Sequence, residues 1–231
     1  MARAWALVLA AGAGTRFGTA VDGTTKVMVP VAGRSMFAWS VEAASATCDG
    51  VTLVVPVRLV ADLADSTGGA DIVVAGGRTR SGSVRAGLET VPDDVDVVVC
   101  HDAARPGSSA ELFAAVIAAV QGGTDAAVPA FAVSDTLKRV PDWGDDGGLV
   151  VGTVDRSGLF AVQTPQAFRR EALMAAHVGE PEATDDAALI EENGGTVLAI
   201  PGEAAAHKVT TAADLVVVEA LLTNRTSGGG L

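Results

Sequence analysis

Ala4-Trp5-Ala6-Leu7-Val8-Leu9-Ala10-Ala11-Gly12-Ala13-Gly14-Thr15-Arg16-Phe17-Gly18 opens the chain with an apolar run that breaks into a loop of alanines and glycines. A short apolar run bounded by glycine reads as a strand buried on both faces. Strands of that kind belong to parallel sheets covered by helices, which bind ligands beyond the carboxyl ends of their strands. Small residues let a backbone approach phosphate closely, and successive N–H groups form an anion-binding concavity. A dinucleotide loop needs GxGxxG, but here the third glycine, Gly18, falls one place late and Arg16 intrudes. The acid that such a site needs after the second strand is also missing, since that end reads Val54-Val55-Pro56-Val57. No GxxxxGK[ST] pattern exists, which excludes a Walker loop. With Arg16 inside the loop and Lys26 shortly after it, phosphate binding is favoured over a plain turn.

Outward from this loop, apolar runs alternate with helical stretches. Ala4–Leu9, Val51–Val57, Asp71–Ala75, Val95–His101 and Asp125–Phe131 read as strands. Met36–Ala46, Leu59–Asp65, Ser83–Val91 and Ser109–Gln121 read as helices, the first and last with serine-containing starts able to cap them. Such alternation implies right-handed βαβ crossovers and a doubly wound, Rossmann-like, mostly parallel α/β sheet. The rhythm breaks over 133–156, where Thr136–Val140 and Leu149–Val154 flank the turn-rich Pro141–Gly148. This pattern predicts a β-hairpin. A lone hairpin is marginal in water, so it packs either on a second subunit or back on its own domain. Thr184–Glu192 and Thr211–Leu222 read as helices around a short strand, Thr196–Ile200. The expectation is one domain over 1–224 that includes the arm, and a flexible tail over 225–231.

The chain has 231 residues, of which 49% are hydrophobic and 19% charged, enough for a sizeable core. No apolar run approaches the ~20 residues needed to span a bilayer. Met1–Leu9 leads straight into a strand, with no cleavable signal pattern, and Cys48 and Cys100 form no CxxC pair. A cytoplasmic protein is expected. A net charge of −12 argues against nucleic acid or an anionic membrane as partner. A small polyanion needs only local positive contacts. Lysine occurs only at Lys26, Lys138 and Lys208, arginine supplying the other basic positions, so a compact ammonium is of interest at these sites.

Asp102 follows the fourth strand in His101-Asp102-Ala103-Ala104-Arg105-Pro106. A carboxylate there can join phosphate oxygens and water around Mg²⁺, or can simply cap a turn. Strand alternation turns His101 to the opposite face, as a structural histidine. Gly76-Gly77-Arg78-Thr79-Arg80-Ser81-Gly82-Ser83 either presents backbone groups to a base or turns the chain, with Ser81 or Ser83 capping the next helix. Thr184-Asp185-Asp186 looks like an N-cap with acids in the first turn, and Thr210 or Thr211 like the cap of the last helix.

Taken in order, LAAGAGTRFG, Lys26, GGRTRSGSV, HDAARP, SDTLK, VDRSGL, QTPQ, TDDA and HKVTTAADL resemble the 2-C-methyl-D-erythritol 4-phosphate cytidylyltransferase family of the non-mevalonate isoprenoid pathway, from about Trp5 to Leu222. The resemblance implies a nucleotide-diphospho-sugar transferase fold, a homodimer interlocked through the β-arm, and use of CTP with Mg²⁺. It implies that Ala10, Ala11 and Gly12 wrap the ribose and phosphates, while Arg16 and Lys26 neutralise the triphosphate. Gly77, Arg78 (through its backbone) and Ser83 would read cytosine, Ala103 would contact ribose, and Asp102 would ligate Mg²⁺. The acceptor phosphate would be held by Thr164 and Lys208, with Thr136 and Arg156 reaching in from the partner's arm. The family often has proline at the positions of Leu9 and Thr25 and an acid at that of Arg78; LAAGAGTR is closer to related sugar-nucleotide enzymes. A ribitol 5-phosphate cytidylyltransferase is the nearest competitor. Outside that class stand a nicotinamide-dependent oxidoreductase, opposed by the missing acid, and a non-catalytic nucleotide-binding module.

Overall fold

The computed structural model describes residues 2–12, 26–64 and 66–226, and only the backbone of 224–226. In chain order the elements are β1 (Ala4–Leu9), β2 (Pro30–Val31), β3 (Arg34–Ser35), α1 (Met36–Ser45), β4 (Gly50–Val55), α2 (Val60–Leu63), β5 (Ile72–Ala75), α3 (Arg80–Leu88), β6 (Val97–Asp102) and α4 (Ala110–Gln121). There follow β7 (Ala126–Ala132), β8 (Lys138–Arg139), β9 (Gly152–Thr153), β10 (Phe160–Val162), β11 (Gln166–Arg169), α5 (Arg170–Ala176), α6 (Asp186–Glu192), β12 (Val197–Pro201) and α7 (Ala212–Thr226). The main sheet has the order β10-β7-β11-β6-β1-β4-β5, with β12 also paired to β7. β6, β1, β4 and β5 are mutually parallel, as is the β12–β7 pair, whereas β11 runs antiparallel between β6 and β7.

Strand alternation divides the core into two layers. Ala4, Ala6, Val8, Val97 and Val99 pack with Phe37, Val41, Phe113 and Val116 of α1 and α4. Trp5, Leu7, Val98 and Cys100 pack with Val84 and Leu88 of α3 and with Leu173 and Ile190 of α5 and α6. Helices on both faces are what the unbroken apolar strands of β1 and β6 require, because neither side can face water. No helix among the described residues is long and apolar enough to cross a membrane.

Several local expectations are corrected. α3 begins at Arg80, and its cap is Thr79, whose hydroxyl accepts from Gly82 N at 3.0 Å, rather than Ser81 or Ser83. Ser109 caps α4, but Ser35 makes no side-chain cap on α1. At α7 Thr211 stands just before the first helical residue, and the Asp214 carboxylate accepts from Thr210 N, Thr211 N and the Thr210 hydroxyl, each at 2.7 Å. α7 runs to Thr226, past the start of the expected tail. The strands β10 and β11 and the helix α5 had no counterpart in the sequence reading.

The hairpin over 133–156 forms a short ladder, Lys138 opposite Thr153 and Arg139 opposite Gly152, with Lys138 Nζ donating to Thr153 Oγ1 at 2.6 Å. Its apolar side chains are exposed: Trp143 at 76%, Leu149 at 87% and Val151 at 62%. A two-stranded ribbon that leaves its apolar side chains in water is marginally stable on its own.

Candidate active site

The sheet ladder continues one residue beyond its parallel strands. Ala10 N donates to Val54 O at 2.7 Å, Gly76 N to Val55 O at 2.8 Å, and Ala103 N to Leu9 O at 3.0 Å. Ala10, Gly76 and Ala103 therefore share one edge at the carboxyl ends of β1, β5 and β6. The wall they form is tight: a Cβ at Gly76 would lie 2.3 Å from the Ala11 Cβ, and one at Gly77 2.6 Å from the Gly82 carbonyl carbon. Ser83, buried one turn into α3, donates its hydroxyl to Thr79 O at 2.9 Å and stands 3.5 Å from Gly77 O. Arg78 is exposed on the turn.

Asp102, the last residue of β6, follows the alternation of Val98 and Cys100 and points towards the start of α3. Its Oδ2 accepts from Lys208 Nζ at 2.6 Å, and Arg80 Nε lies 3.7 Å from Oδ1. Burial alone would raise this carboxyl, but Lys208 and Arg80 outweigh it and hold the pKa at about 2. Arg80 is fixed in turn by the fully buried Asp186, whose Oδ2 it meets at 2.7 Å and whose Oδ1 lies 3.1 Å from His177 Nε2. Burial opposes ionisation of Asp186, yet His177 and Arg80 keep its pKa below the usual carboxylate value. Burial likewise works against the Arg80 charge, but Asp186 and Asp102 raise its pKa further.

His101 takes the other face. It is fully buried, with Nε2 3.2 Å from Ser40 Oγ, Nδ1 3.1 Å from Thr164 Oγ1 and its ring 5.0 Å from that of Phe113. Burial lowers its pKa to about 3 despite the pull of Asp102, so it is neutral at physiological pH. The same Thr164 hydroxyl accepts from Asp102 N at 3.0 Å.

Lys208 lies on the segment after β12. Val209 N donates to Ala104 O at 2.8 Å, and the carbonyl of Val209 accepts from Lys26 Nζ. Lys26 begins a single 3-10 turn, Lys26–Met28, far away in sequence. Two of the three lysines thus meet at the Lys208–Val209 segment, one on the Asp102 carboxylate and one on the Val209 carbonyl, in a protein whose net charge is −12. Arg105 adds a third cation, donating from Nη1 to Ala206 O at 2.7 Å.

Ala10, Ala11, Gly12, Gly77, Arg78, Ser83, Asp102, Ala103, Thr164, Lys26 and Lys208 lie along this edge or its flanking turns. Arg16 and Thr25 fall outside the described residues. Thr136 and Arg156 are exposed on the arm, and among the described residues no hydrogen bond joins either to Asp102 or Lys208. Arg80 and Asp186 were missed as site residues. Asp185, not Asp186, caps α6, accepting from Ala188 N at 3.1 Å, which frees Asp186 to turn inward. The available signal was a pair of arginines, Arg78 and Arg80, in a turn otherwise made of small residues, with an acidic pair later in the chain.

The sequence pattern of the IspD family, 2-C-methyl-D-erythritol 4-phosphate cytidylyltransferase, matches residues 4–224. A protein of that description from Frankia casuarinae is 47% identical over 95% of this chain and 81% of its own length. Another from Rhodococcus opacus is 43% identical over 94% of each chain. The crystal structure of 2-C-methyl-D-erythritol 4-phosphate cytidylyltransferase from Thermus thermophilus superposes with a TM-score of 0.76 at 32% identity, over 94% of this chain and 98% of that one. With the match running the length of the sheet and through both lysine-bearing segments, the chain belongs to the 2-C-methyl-D-erythritol 4-phosphate cytidylyltransferase family.

Proposed function

We propose that this protein transfers the cytidylyl group of CTP to 2-C-methyl-D-erythritol 4-phosphate, forming CDP-methylerythritol and pyrophosphate. The observation that carries this reading is the meeting of two lysine-bearing segments at the carboxyl edge of the parallel strands, Lys208 on the Asp102 carboxylate and Lys26 on the Val209 carbonyl. An acceptor phosphate oxygen attacks the α-phosphorus in line with the departing pyrophosphate. That oxygen is already ionised at neutral pH, so no general base is needed, and the neutral, buried His101 is not asked to be one. The chain's task is positioning and neutralisation. Ala10–Gly12 and the Gly76–Ser83 turn hold ribose, phosphates and cytosine, with Ala103 at the ribose. Arg16 and Lys26 offset the charge on the phosphates. Lys208, with Thr164, draws the acceptor phosphate towards the reacting centre.

Mg²⁺ belongs to the same reading. Among the described residues no group of three His, Cys, Asp or Glu side chains is placed to cage a metal. Asp102 offers one carboxylate, and Mg²⁺ characteristically accepts one or two carboxylates completed by substrate phosphates and water. When bound it would neutralise the triphosphate and favour departure of pyrophosphate. The exposed arm is read as the dimer contact, bringing Thr136 and Arg156 of one subunit to the acceptor in the other. Two free cysteines, one buried and one half-buried, suit a cytoplasmic protein.

The test is pyrophosphate release with CTP and Mg²⁺ across a panel of polyol phosphates. Release should be fastest with 2-C-methyl-D-erythritol 4-phosphate. Faster release with ribitol 5-phosphate would reassign the acceptor, and no release with any acceptor would leave a nucleotide-binding module.

A further inference from the structure

Gln163 lies in the QTPQ segment between β10 and β11, and no role in the reaction is given to it above. It is buried, at 7% exposure, and its backbone N–H donates to Pro129 O at 2.8 Å, extending the β10 ladder. Its side-chain amide pairs with a backbone far along the chain. Nε2 donates to Glu203 O at 2.9 Å, and Oε1 accepts from Glu203 N at 3.0 Å. This two-point pairing fixes the amide orientation, because a flipped amide would set donor against donor and acceptor against acceptor. The approach is close: a Cβ on Gly202 would lie 2.4 Å from Gln163 Oε1.

The pairing anchors one end of the segment that carries Lys208. The Glu203 carboxylate accepts from Ser109 N at 3.2 Å and Ser109 Oγ at 2.5 Å, tying the same residue to the start of α4. Farther along, Arg105 holds Ala206 O, and Ala104 O holds Val209 N. A Cβ on Gly107 would lie 2.1 Å from Ala205 O, so the middle of the segment is also set flush against the turn after β6. Lys208 itself is half-exposed, and among the described residues its ammonium pairs with the Asp102 carboxylate alone. Its position is therefore set by what holds the backbone on either side of it.

We propose that Gln163 is a positioning residue for acceptor binding, acting on Lys208 through the backbone of Glu203. The inference rests on the reading of Lys208 as an acceptor-binding lysine. Two neighbours divide the work: Thr164 holds Asp102 N, and Gln163 holds the segment that delivers Lys208. Together they set both ends of the 2.6 Å Lys208–Asp102 contact.

Gln163→Leu removes both amide bonds while keeping an apolar stem of similar size. Two lost hydrogen bonds predict an acceptor KM raised about tenfold, with the KM for CTP within about twofold of the parent. Gly202→Ala disturbs the same pairing by crowding Gln163 Oε1 without replacing Gln163 and should give the same pattern, so it carries the test if Gln163→Leu does not fold. In a Lys208→Ala background either change should add less than about a twofold effect, because the residue being positioned is gone. Thr52→Val is the control. Thr52 is fully buried and bonded to Trp5 and Thr90 on another part of the sheet, so its loss should lower thermal stability and leave both KM values unchanged. Equal rises in both KM values, equal effects with and without Lys208, or unchanged kinetics in Gln163→Leu would each overturn the inference. If Lys208→Ala itself left the acceptor KM unchanged, the reading of Lys208 and the inference would fall together. An effect of Lys208→Ala with none from Gln163→Leu would defeat the inference alone.

Discussion

Lys208 Nζ meets Asp102 Oδ2 at 2.6 Å, closing a contact between the segment before α7 and the end of β6. The carboxylate has a folded pKa of about 2, against 3.8 ordinarily. A lowered carboxyl pKa stabilises the fold fully above the unfolded value and ceases to do so as pH falls through the folded one. Asp102→Asn should therefore differ from the parent by roughly 2–3 kcal/mol near neutrality, and the gap should close between about pH 4 and pH 2. Urea unfolding at a series of pH values checks this. A gap that persists unchanged to pH 2 would mean that the ion pair is not its source.

His101 predicts a slope of its own. Its folded pKa of about 3 lies below the ordinary 6.5, so below pH 6.5 the unfolded chain takes up a proton that the fold refuses. Stability should fall with pH at about 1.4 kcal/mol per pH unit once pH is well below 6.5. His101→Gln should lack that slope between pH 6 and pH 5 in urea unfolding. Parallel profiles for parent and variant would contradict the assignment.

Asp186→Asn removes the fully buried carboxylate that meets the half-buried Arg80 at 2.7 Å. Breaking one side of a buried ion pair costs about 3–5 kcal/mol, so the variant should unfold at clearly lower urea. A loss under about 1 kcal/mol, the range for exposed pairs, would show that water reaches Arg80.

The chain's strongest local signals were apolar. β1, β4 and β6 were legible because both faces of each are covered, giving unbroken runs such as Val97-Val98-Val99. β10 and β11 were not, because the first has only three residues and the second opens on Gln166, a polar residue buried here by its bond to Asp185 Oδ2 at 3.0 Å. α5 opens with Arg170-Glu171 and offers little apolar periodicity. For the site, position after a strand pointed to Asp102, but nothing local distinguishes Asp186 from its neighbour Asp185. Only the fold shows that one caps a helix while the other turns inward to Arg80.

The arm yields a prediction about assembly. If Thr136 and Arg156 serve the partner's site, Arg156→Ala and Lys208→Ala homodimers should each be severely impaired. Mixing and re-forming the two should restore one intact site per heterodimer, recovering a measurable fraction of parental turnover. No recovery in a mixture shown to exchange subunits would place the arm's residues outside the site.

The reaction is tested most directly by following label and leaving group in one experiment. The acceptor, 2-C-methyl-D-erythritol 4-phosphate, carries ¹⁸O in its phosphate, and the products formed with CTP are resolved by mass spectrometry. Attack by the acceptor on the α-phosphorus predicts all of the label in CDP-methylerythritol and unlabelled pyrophosphate. Lys26→Ala should slow both products together by about a hundred- to thousandfold. Release of CMP or CDP in place of pyrophosphate, ¹⁸O in the pyrophosphate, or near-parental turnover of Lys26→Ala at saturating CTP would contradict it.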